Sequence, residues 1–321
     1  LCLDLKSDGA IDIVRKLAAT CDVVIDNNRP GVSDRLGIGF EALKAVNPRI
    51  ILVAVSGFGL TGPDSKRPLS DTIAQAMSGF MSINTGRAGV PAKVDMTLID
   101  CLTGLYGFQA ATMALWGDPK KREARRLDIS LVQCAAAIQG AKVLEYSVHG
   151  KIPDKINAPA GSYRASDGWL ALTLVRETCW HRICTALERE DLRDDPRFAT
   201  FDDRARNVEE LTRIIDEVIA TRTVAEWVAR LLENLVLAGP INDYGDWMAS
   251  PQTQAIEGAP MIEVTPGTKA PVVRTPGHGH HTDFAPRLGQ HSGDILRLAG
   301  LDDTAIGDML ASGAVISESA A

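Results

Sequence analysis

The first 57 residues alternate between two kinds of hydrophobic pattern. Short apolar runs at 1–6, 22–27 and 49–57 predict β-strands, and stretches at 9–20 and 40–47 with apolar side chains three and four residues apart predict amphipathic helices. The run at 49–57 is almost continuously apolar and β-branched, which is typical of a strand buried on both faces of a sheet. This βαβαβ order predicts an α/β fold with a parallel sheet and right-handed crossovers.

The same half of the chain continues with helices and one more strand. A loop rich in Gly, Pro and Ser at 57–71 precedes a predicted helix near 72–83, and a strand at 127–132 precedes a helix from about 133 to 147. The longest apolar segment, 101–117, contains Thr, Gln and Gly and is shorter than the ~20 residues of a membrane-spanning helix. We therefore expect a buried helix there and no membrane partner.

The second half has a different pattern. Two short β runs flank an Asp-Gly turn within residues 163–174, which predicts a β-hairpin. Helices then dominate, and two of them are indicated by capping-box pairs, Asn207 with Glu210 and Thr223 with Glu226. One or two short helices are expected at the end of the chain.

Composition and charge narrow the class of protein. The chain has 321 residues, of which 45% are hydrophobic and 23% charged, as in a soluble globular protein large enough for two domains. Its formal net charge of −7 supplies no overall positive field, so we expect no nucleic-acid partner. The six cysteines form no CxxC pair and fall in apolar segments, as reduced, buried thiols of a cytoplasmic protein would.

Asp100 is the most interesting carboxylate, because it stands at the start of the apolar helix. It would lie there at the positive end of the helix dipole, beside backbone N–H groups that lack helical partners. The plain alternative is an N-cap, for which Asp is favoured, and the local sequence does not decide between the two. Asp95 is a rival without such a helix start, and Asp71 is a similar N-cap candidate before the helix at 72–83.

Basic and histidine side chains are candidates for binding anions or metals. Lys6, Arg29 and Arg35 flank predicted strand ends and the Arg-Pro-Gly turn, where α/β sheets bind ligands, and Arg offers phosphate a bidentate fork. Solvated surface side chains are the alternative for all three. The histidines between 278 and 291 lack the paired spacing of a zinc site, so we expect no metal.

Eleven stretches together resemble the family III CoA-transferases, the CaiB/BaiF family that includes formyl-CoA transferase, carnitine CoA-transferase and α-methylacyl-CoA racemase. Among them are DNNRPGVSDRLGIGFEALKAVNPRII at 26–51, DTIAQAMSG at 71–79 and DCLTGLYG at 100–107. The others lie at 3–7, 55–63, 127–133, 163–172, 194–200, 221–227, 238–243 and 286–291. Their order is kept nearly from end to end, which is more specific than any single motif.

The resemblance implies functional roles for particular residues. The family's nucleophilic aspartate directly precedes a helix containing Thr-Gly, which selects Asp100 over Asp95. The residues implied to bind CoA are Asn27, Asn28, Arg29, Pro30, Gly31, Arg35 and Asp71. Asn28 stands where the family usually has an aromatic residue. CoA or acyl-CoA is then a substrate, and no tightly bound cofactor is implied.

The implied chemistry transfers CoA through covalent intermediates on Asp100. Its carboxylate attacks an acyl-CoA to form a mixed anhydride, the released thiolate forms an aspartyl-CoA thioester, and an acceptor carboxylate reverses these steps. Because water would hydrolyse the anhydride, the site must be dry, and the backbone N–H groups at 101–104 are candidate oxyanion donors. The implied partners are an acyl-CoA donor and a small carboxylic acid acceptor.

Three departures from the family leave alternatives open. The family starts with further CoA-binding segments, so we expect an N-terminally truncated large domain, and an inactive CoA-binding subunit of a heteromeric transferase is one alternative. Ser70 replaces the histidine of racemases, which disfavours the other alternative, an α-methylacyl-CoA racemase or epimerase. The glycine-rich loop of formyl-CoA transferase is not evident near 155–163, so oxalate or formate is not indicated as a substrate.

The family fold implies two domains and an interlinked homodimer. Residues 1–148 and 290–321 would form the large nucleotide-fold-like domain, which binds CoA and carries the catalytic residue. Residues 163–262 would form a smaller α+β domain. The linkers would be 149–162 and 263–289, which agrees with their content of Pro and Gly.

Overall fold

The computed structural model describes residues 1–86, 89–151, 157–277, 279 and 285–317. The chain divides into two compact units, one formed by Leu1–Ile152 with Ala285–Ala321 and the other by Pro153–Phe284. The first unit is therefore assembled from both ends of the chain, whereas the second is a continuous segment.

The first unit mixes helices with two small sheets, which makes it an α/β structure. Its strands are β1 (Cys2–Leu3), β2 (Val23–Asp26), β3 (Ile51–Ser56) and β4 (Arg125–Ser130). Its helices before the second unit are α1 (Ala10–Ala18), α2 (Val32–Leu36), α3 (Phe40–Val46), α4 (Asp71–Met77), α5 (Phe80–Ile83), α6 (Leu98–Leu115), α7 (Leu131–Ile138) and α8 (Gly140–His149), with a 3₁₀ turn at Pro119–Lys121.

Strands β2, β3 and β4 form the predicted parallel sheet, with β3 in the centre. Val23 pairs with Ile51, and Val53 pairs with Leu127, so all three strands end at the same edge. Residues 51–54 are almost fully buried, which confirms that the β-branched run at 49–57 lies between two covered faces.

The strand predicted at 1–6 does not join this sheet. Only Cys2–Leu3 is extended, and it pairs antiparallel with the last strand, Val315–Ile316. Ser292 reinforces the pairing, because its Oγ accepts a hydrogen bond from the N–H of Cys2 and donates one to the carbonyl of Ile316. An apolar run shows that a segment is extended but does not specify its partner, which here lies at the other end of the chain.

Two helices predicted as single elements are each broken in two. The helix near 72–83 is divided into α4 and α5 at Gly79, whose φ of 85° is a left-handed conformation that ends a helix readily. The helix predicted from about 133 to 147 is α7 and α8, which meet at Gln139.

Helix α6 differs from its prediction in start and in burial. It begins at Leu98 and contains Asp100, whereas we expected it to follow Asp100. Its buried residues are Ile99, Thr103 and Gly107, while Leu105, Phe108 and Met113 are 64%, 66% and 71% exposed. We expected burial because the helix is apolar, but an apolar sequence does not specify whether the same chain or another molecule covers the helix. By length and composition α6 passes the test for a membrane-crossing helix, as helices of soluble proteins also do.

The second unit packs helices on a three-stranded antiparallel sheet. Its strands are β5 (Ala160–Arg164), β6 (Trp169–Thr173), β7 (Leu237–Pro240), β8 (Met261–Thr265) and β9 (Thr268–Pro271). Its helices are α9 (Trp180–Ala186), α10 (Phe201–Arg206), α11 (Val208–Ile219), α12 (Val224–Glu233), α13 (Tyr244–Ala249) and α14 (Pro251–Ala255), with 3₁₀ turns at Glu177–Cys179 and Glu190–Leu192. The predicted hairpin about the Asp-Gly turn is β5–β6, which confirms it.

Other details of the second unit confirm or correct the sequence pattern. The capping box of Thr223 with Glu226 is present. Asn207 precedes α11 but does not cap it, because its Nδ2 donates to the carbonyls of Arg197 and Asp203. The hairpin β8–β9 lies mostly within the stretch 263–289, where the Pro and Gly content suggested only a linker.

The first unit is completed by the C-terminal segment. It contains α15 (Ser292–Leu298), α16 (Asp303–Ala311) and β10 (Val315–Ile316), so the expected short terminal helices are confirmed. Ile13 of α1 is buried in a cluster with Leu296, Ile306 and Val315, which ties the two ends of the chain together.

The cysteines are free thiols but are not uniformly buried. Cys134 and Cys184 are buried, as predicted, and burial raises the pKa of the Cys184 thiol to about 12. Cys21 and Cys101 are exposed, so the prediction of buried thiols is wrong for them. Cys21 lies between α1 and β2, and Cys101 lies in the first turn of α6.

Candidate active site

A cavity of about 570 Å³ opens at the carboxyl-terminal edge of the parallel sheet. The segment after β2, the end of β3 and the start of α7 after β4 all contribute to its wall, as expected for a ligand site in a parallel α/β sheet. From the predicted site residues it brings together Asn27, Asn28, Arg29, Pro30, Asp71 and Asp100. The other lining residues include Ser56, Gly57, Lys66, Arg67, Ser70, Thr103 and Gly104.

The turn after β2 is held in place by the end of that strand. Asp26 Oδ1 accepts hydrogen bonds from the N–H and the Nδ2 of Asn28, at 3.0 and 2.9 Å. Asn28 Nδ2 also donates to Ser33 Oγ at 3.1 Å. The side chain that replaces the family's aromatic residue therefore links the end of β2 to α2. Gly31 has a φ of 82°, which turns the chain into α2.

Gly31, Arg35 and Lys6, which were predicted to bind ligand, do not line the cavity. Gly31 borders a smaller pocket that shares Asn28, Arg29 and Pro30 with the main cavity. A Cβ added at Gly31 would lie 3.4 Å from Arg35 Nη1, so the Arg35 guanidinium lies next to this turn. Lys6 is not among the residues that line the cavity.

Asp100 lies in the first turn of α6 and is not its N-cap. The cap is supplied by Asp71, a buried residue distant in sequence, whose Oδ2 accepts the N–H groups of Ile99 at 2.6 Å and Asp100 at 3.2 Å. Asp71 was itself an N-cap candidate for α4, but Ser70 holds that position. A helix leaves its first N–H groups without partners, so an anion placed there stabilises the helix start.

The electrostatic environment of Asp100 opposes its ionisation. Although Asp100 is exposed in the single chain, burial of part of its side chain raises its pKa, and repulsion by the nearby Asp71 raises that pKa further. Asp100 nevertheless keeps its carboxylate facing the cavity. A carboxylate with weakened solvation is a better nucleophile than one in bulk water.

Asp95, the rival carboxylate, occupies a different environment. Its side chain is 91% exposed and forms an ion pair with Lys93 Nζ at 2.7 Å. Hydrogen bonding to Lys93 lowers the pKa of Asp95. Asp95 does not line the cavity.

The backbone N–H groups at 101–104 are not available as oxyanion donors. The N–H of Cys101 donates to the carbonyl of Thr97, and the next three residues lie inside α6. Interior N–H groups of an α-helix point to the carbonyl four residues earlier. The expectation is wrong because α6 begins earlier than the apolar run suggested.

The structure adds two cations that the sequence motifs did not indicate. Lys66 and Arg67 lie on the loop between β3 and α4 and line the cavity with Arg29. Arg67 has a loose ion pair with Asp64 at 3.8 Å, whereas Lys66 and Arg29 have no ion-pair partner within the described part of the chain. In the sequence, these two residues appear as a Lys-Arg pair in a Gly- and Pro-rich loop, a pattern that also fits an ordinary solvated surface.

No group of three His, Cys, Asp or Glu side chains within the described residues is arranged to bind a metal ion. The histidines at 278, 280 and 281 fall outside the described residues. His291 is placed directly before α15.

The comparison with known sequences identifies the family. Residues 1–292 match the family described as CoA-transferase family III. This chain belongs to CoA-transferase family III. The resemblance that its motifs indicated is thereby confirmed.

Similar proteins support the same assignment. A succinate–glutarate CoA-transferase of Agrobacterium fabrum is 31% identical over 304 residues, which are 91% of this chain and 76% of that enzyme. The succinyl-CoA:glutarate CoA-transferase of Homo sapiens is 27% identical over 330 residues, covering 98% of this chain and 75% of that enzyme. A crystal structure of a CaiB/BaiF family protein from Brucella suis matches with a TM-score of 0.79 at 29% identity, over 92% of this chain and 80% of that one.

Family membership together with the similar enzymes identifies this chain as a CoA-transferase, an enzyme class whose substrates are CoA thioesters. The similar enzymes named above are CoA-transferases and are not racemases or epimerases. The roles of the individual residues in the cavity stay predictions.

Proposed function

We propose that this enzyme moves CoA from an acyl-CoA to a carboxylic acid through covalent intermediates on Asp100. The observation that carries the proposal is the position of Asp100. Its carboxylate faces a cavity at the carboxyl-terminal edge of the sheet, and the Asn27–Pro30 turn and three cationic side chains line the same cavity. Asp71 lies beside it, but its oxygens are engaged by hydrogen bonds.

The proposed first half-reaction has two steps. An Asp100 oxygen attacks the thioester carbonyl, the C–S bond breaks, and CoA leaves as a thiolate, so that the acyl group is joined to Asp100 as a mixed anhydride. The thiolate then attacks the aspartyl carbonyl, which releases the donor acid and leaves CoA as a thioester of Asp100. The acceptor carboxylate repeats both steps in reverse order, so Asp100 is restored and no net proton is consumed.

The raised pKa of Asp100 fits this sequence of steps. Burial and the charge of Asp71 destabilise the free carboxylate. Both effects disappear when Asp100 becomes a neutral anhydride or thioester, so the site favours the covalent states relative to the free enzyme.

The cationic side chains give the cavity a means of holding its anionic substrates. Arg29, Lys66 and Arg67 could meet the phosphates of CoA and the carboxylate of the acid, and Arg29 provides the bidentate geometry that phosphate accepts best. Arg35 remains a CoA-binding candidate, because its guanidinium lies next to Gly31 of the turn.

We propose dicarboxylic acids as the substrates, with succinyl-CoA as donor and glutarate as acceptor. The similar enzyme of Agrobacterium fabrum is named for succinate and glutarate, and that of Homo sapiens for succinyl-CoA and glutarate. A dicarboxylate also carries a second negative charge, for which a cavity with three cations offers partners. The cytoplasm is the compartment we expect for this reaction.

We further propose that the enzyme is a homodimer, interlinked as the family resemblance implies. The exposed apolar side chains of α6 and α8 support this proposal. They include Leu105, Phe108, Met113, Val143, Leu144 and Val148, each more than half exposed. Exposed apolar side chains of this kind on two helices of one chain fit an interface with a second copy.

The decisive test of the mechanism is replacement of Asp100. We expect Asp100→Asn to lower kcat for CoA transfer from succinyl-CoA to glutarate by at least about 1000-fold, because an amide cannot form the anhydride. In the unaltered enzyme, hydroxylamine added during turnover should convert Asp100 to a hydroxamate that mass spectrometry locates. Asp95→Asn is the matched control and should keep full activity. Retained transfer in Asp100→Asn, or trapping at another residue, would reject the mechanism.

A further inference from the structure

Gln75 is a buried polar residue that contacts Asp71 but does not line the cavity. It lies on α4, one turn after Asp71, and is 0% exposed. Its Nε2 donates to Asp71 Oδ1 at 2.6 Å, and its Oε1 accepts the N–H of Val94 at 2.9 Å. Neither atom lines the cavity, so Gln75 is not placed to contact substrate.

The same amide binds the segment that leads into α6. Besides Asp71, Gln75 Nε2 approaches the carbonyls of Val94 at 3.3 Å and Met96 at 3.5 Å. The orientation of the amide is fixed by this network. A flipped amide would place an oxygen against Asp71 and an NH₂ group against the N–H of Val94, which are two unfavourable contacts.

These contacts meet at the first turn of the helix that carries the nucleophile. Asp71 Oδ1 is held by Gln75, and its Oδ2 holds the N–H groups of Ile99 and Asp100. The chain between Val94 and Leu98 is fixed from the other side by the same amide and by the hydrogen bond from Leu98 N to Met96 O. The position of Asp100 thus depends on one buried side chain that touches both of its anchors.

We propose that Gln75 is a positioning residue of the transfer reaction, which sets the start of α6 and thereby aims the Asp100 carboxylate into the cavity. This inference rests on the proposed role of Asp100. It assigns Gln75 an effect on the chemical step, because a displacement of about 1 Å at a nucleophile can cost about 100-fold in rate.

Gln139 provides a matched control for loss of a buried amide. It is 6% exposed, and its Nε2 donates to the carbonyl of Ala135 at 2.8 Å and approaches Ser78 at 3.4 Å. Among the described residues, the Gln139 side chain forms no hydrogen bond to Asp71, to residues 94–96 or to α6. Gln139→Met therefore removes similar hydrogen bonds without disturbing the anchors of Asp100.

The first experiment compares Gln75→Met, Gln139→Met and Asp100→Asn in the full chain, with succinyl-CoA and glutarate. We expect Gln75→Met to lower kcat by about 10- to 100-fold with little change in KM for succinyl-CoA. Gln139→Met should keep kcat, while thermal unfolding midpoints fall in both methionine variants. Equal kcat in the two methionine variants would overturn the positioning role. Retained activity in Asp100→Asn would instead reject the proposed function.

A second experiment decides the matter if Gln75→Met does not fold. Gln75→Glu sets two carboxylates against each other. Adding Asp71→Asn restores a hydrogen bond, because the NH₂ group of the introduced Asn can donate to the introduced Glu. The oxygen of the same Asn can still accept an N–H group at the start of α6. We expect the double variant to recover at least about 10-fold in kcat over Gln75→Glu, consistent with regained geometry at the nucleophile. No recovery in a folded double variant would overturn the inference.

Discussion

The carboxylates of Asp71 and Asp100 both lie at the start of α6, yet their surroundings differ in the number of hydrogen bonds that they supply. Asp71 accepts three hydrogen bonds, from Gln75 Nε2 and from the N–H groups of Ile99 and Asp100. Asp100 accepts no side-chain hydrogen bond from the residues that the structure describes, and it faces the cavity. An oxygen already bound by donors is a poor nucleophile, so the free carboxylate is the one suited to attack a thioester.

The charge of Asp71 should be visible in the pH dependence of the reaction. It raises the pKa of Asp100, and Asp100 must be ionised to attack. Asp71→Asn removes the repulsion, so the pKa of Asp100 falls and the acid limb of kcat/KM for succinyl-CoA moves to lower pH. The shift should be partial, because burial, the larger cause, remains. Asp95→Asn should leave the limb in place, and an upward shift in Asp71→Asn would contradict this account.

At the scale of single elements, local sequence predicted what local forces determine. Helices α1 and α3 and strands β2 and β3 occur within about two residues of their predicted bounds, because their apolar spacing and flanking residues act over short distances. The start of α6 could not be predicted in this way. Its first N–H groups are satisfied by Asp71, and an Asp at the third helical position has the same sequence signature as an N-cap.

Arg204 holds the elements of the second unit together in a way that periodicity does not indicate. It is 0% exposed and stands over the rings of Trp180 and Phe201, each at 4.9 Å. Its guanidinium donates to the carbonyls of Ala158 and Phe198 and pairs with Glu177 at 2.7 Å. One side chain thereby fastens three separate parts of the chain to α10.

Replacing Arg204 should therefore destabilise the second unit strongly. We expect Arg204→Met to lower the free energy of unfolding by about 3 kcal/mol, because two buried carbonyls lose their donor and an ion pair is broken. Denaturant unfolding followed by tryptophan fluorescence measures this change. Arg213→Met removes an exposed ion pair with Glu217 and should change stability little. Equal changes in the free energy of unfolding would show that the buried Arg204 guanidinium stabilises the second unit no more than an exposed ion pair does.

At the scale of the whole molecule, ordered motifs predicted more of the site than any local pattern could. They selected Asn27 to Pro30, Asp71 and Asp100, which the structure brings to one cavity. They did not indicate Lys66 and Arg67, because a basic pair in a loop carries no signal until the loop is placed beside the sheet edge. They also gave no hint of Gln75, whose role depends on contacts to residues distant in sequence.

The proposed dimer gives a test at this scale. We expect the enzyme to have the mass of a dimer by light scattering during gel filtration. Phe108→Asp should shift it toward the monomer, because a charge would be buried at the centre of the apolar face of α6. Leu298→Asp changes a leucine of α15 that is 81% exposed and should leave the mass unaltered. A monomeric mass for the unaltered enzyme would contradict the proposal.

The pairing of β1 with β10 has a consequence for the order in which the protein is made. β1 leaves the ribosome before the second unit and β10 after it, so the unit that holds Asp100 is completed only once the second unit has been synthesised. The second unit is continuous in sequence and can fold while the C-terminal segment is still being translated. A message cut short before Val315 would thus yield a chain with a finished second unit, an unpaired β1 and an exposed face on α1.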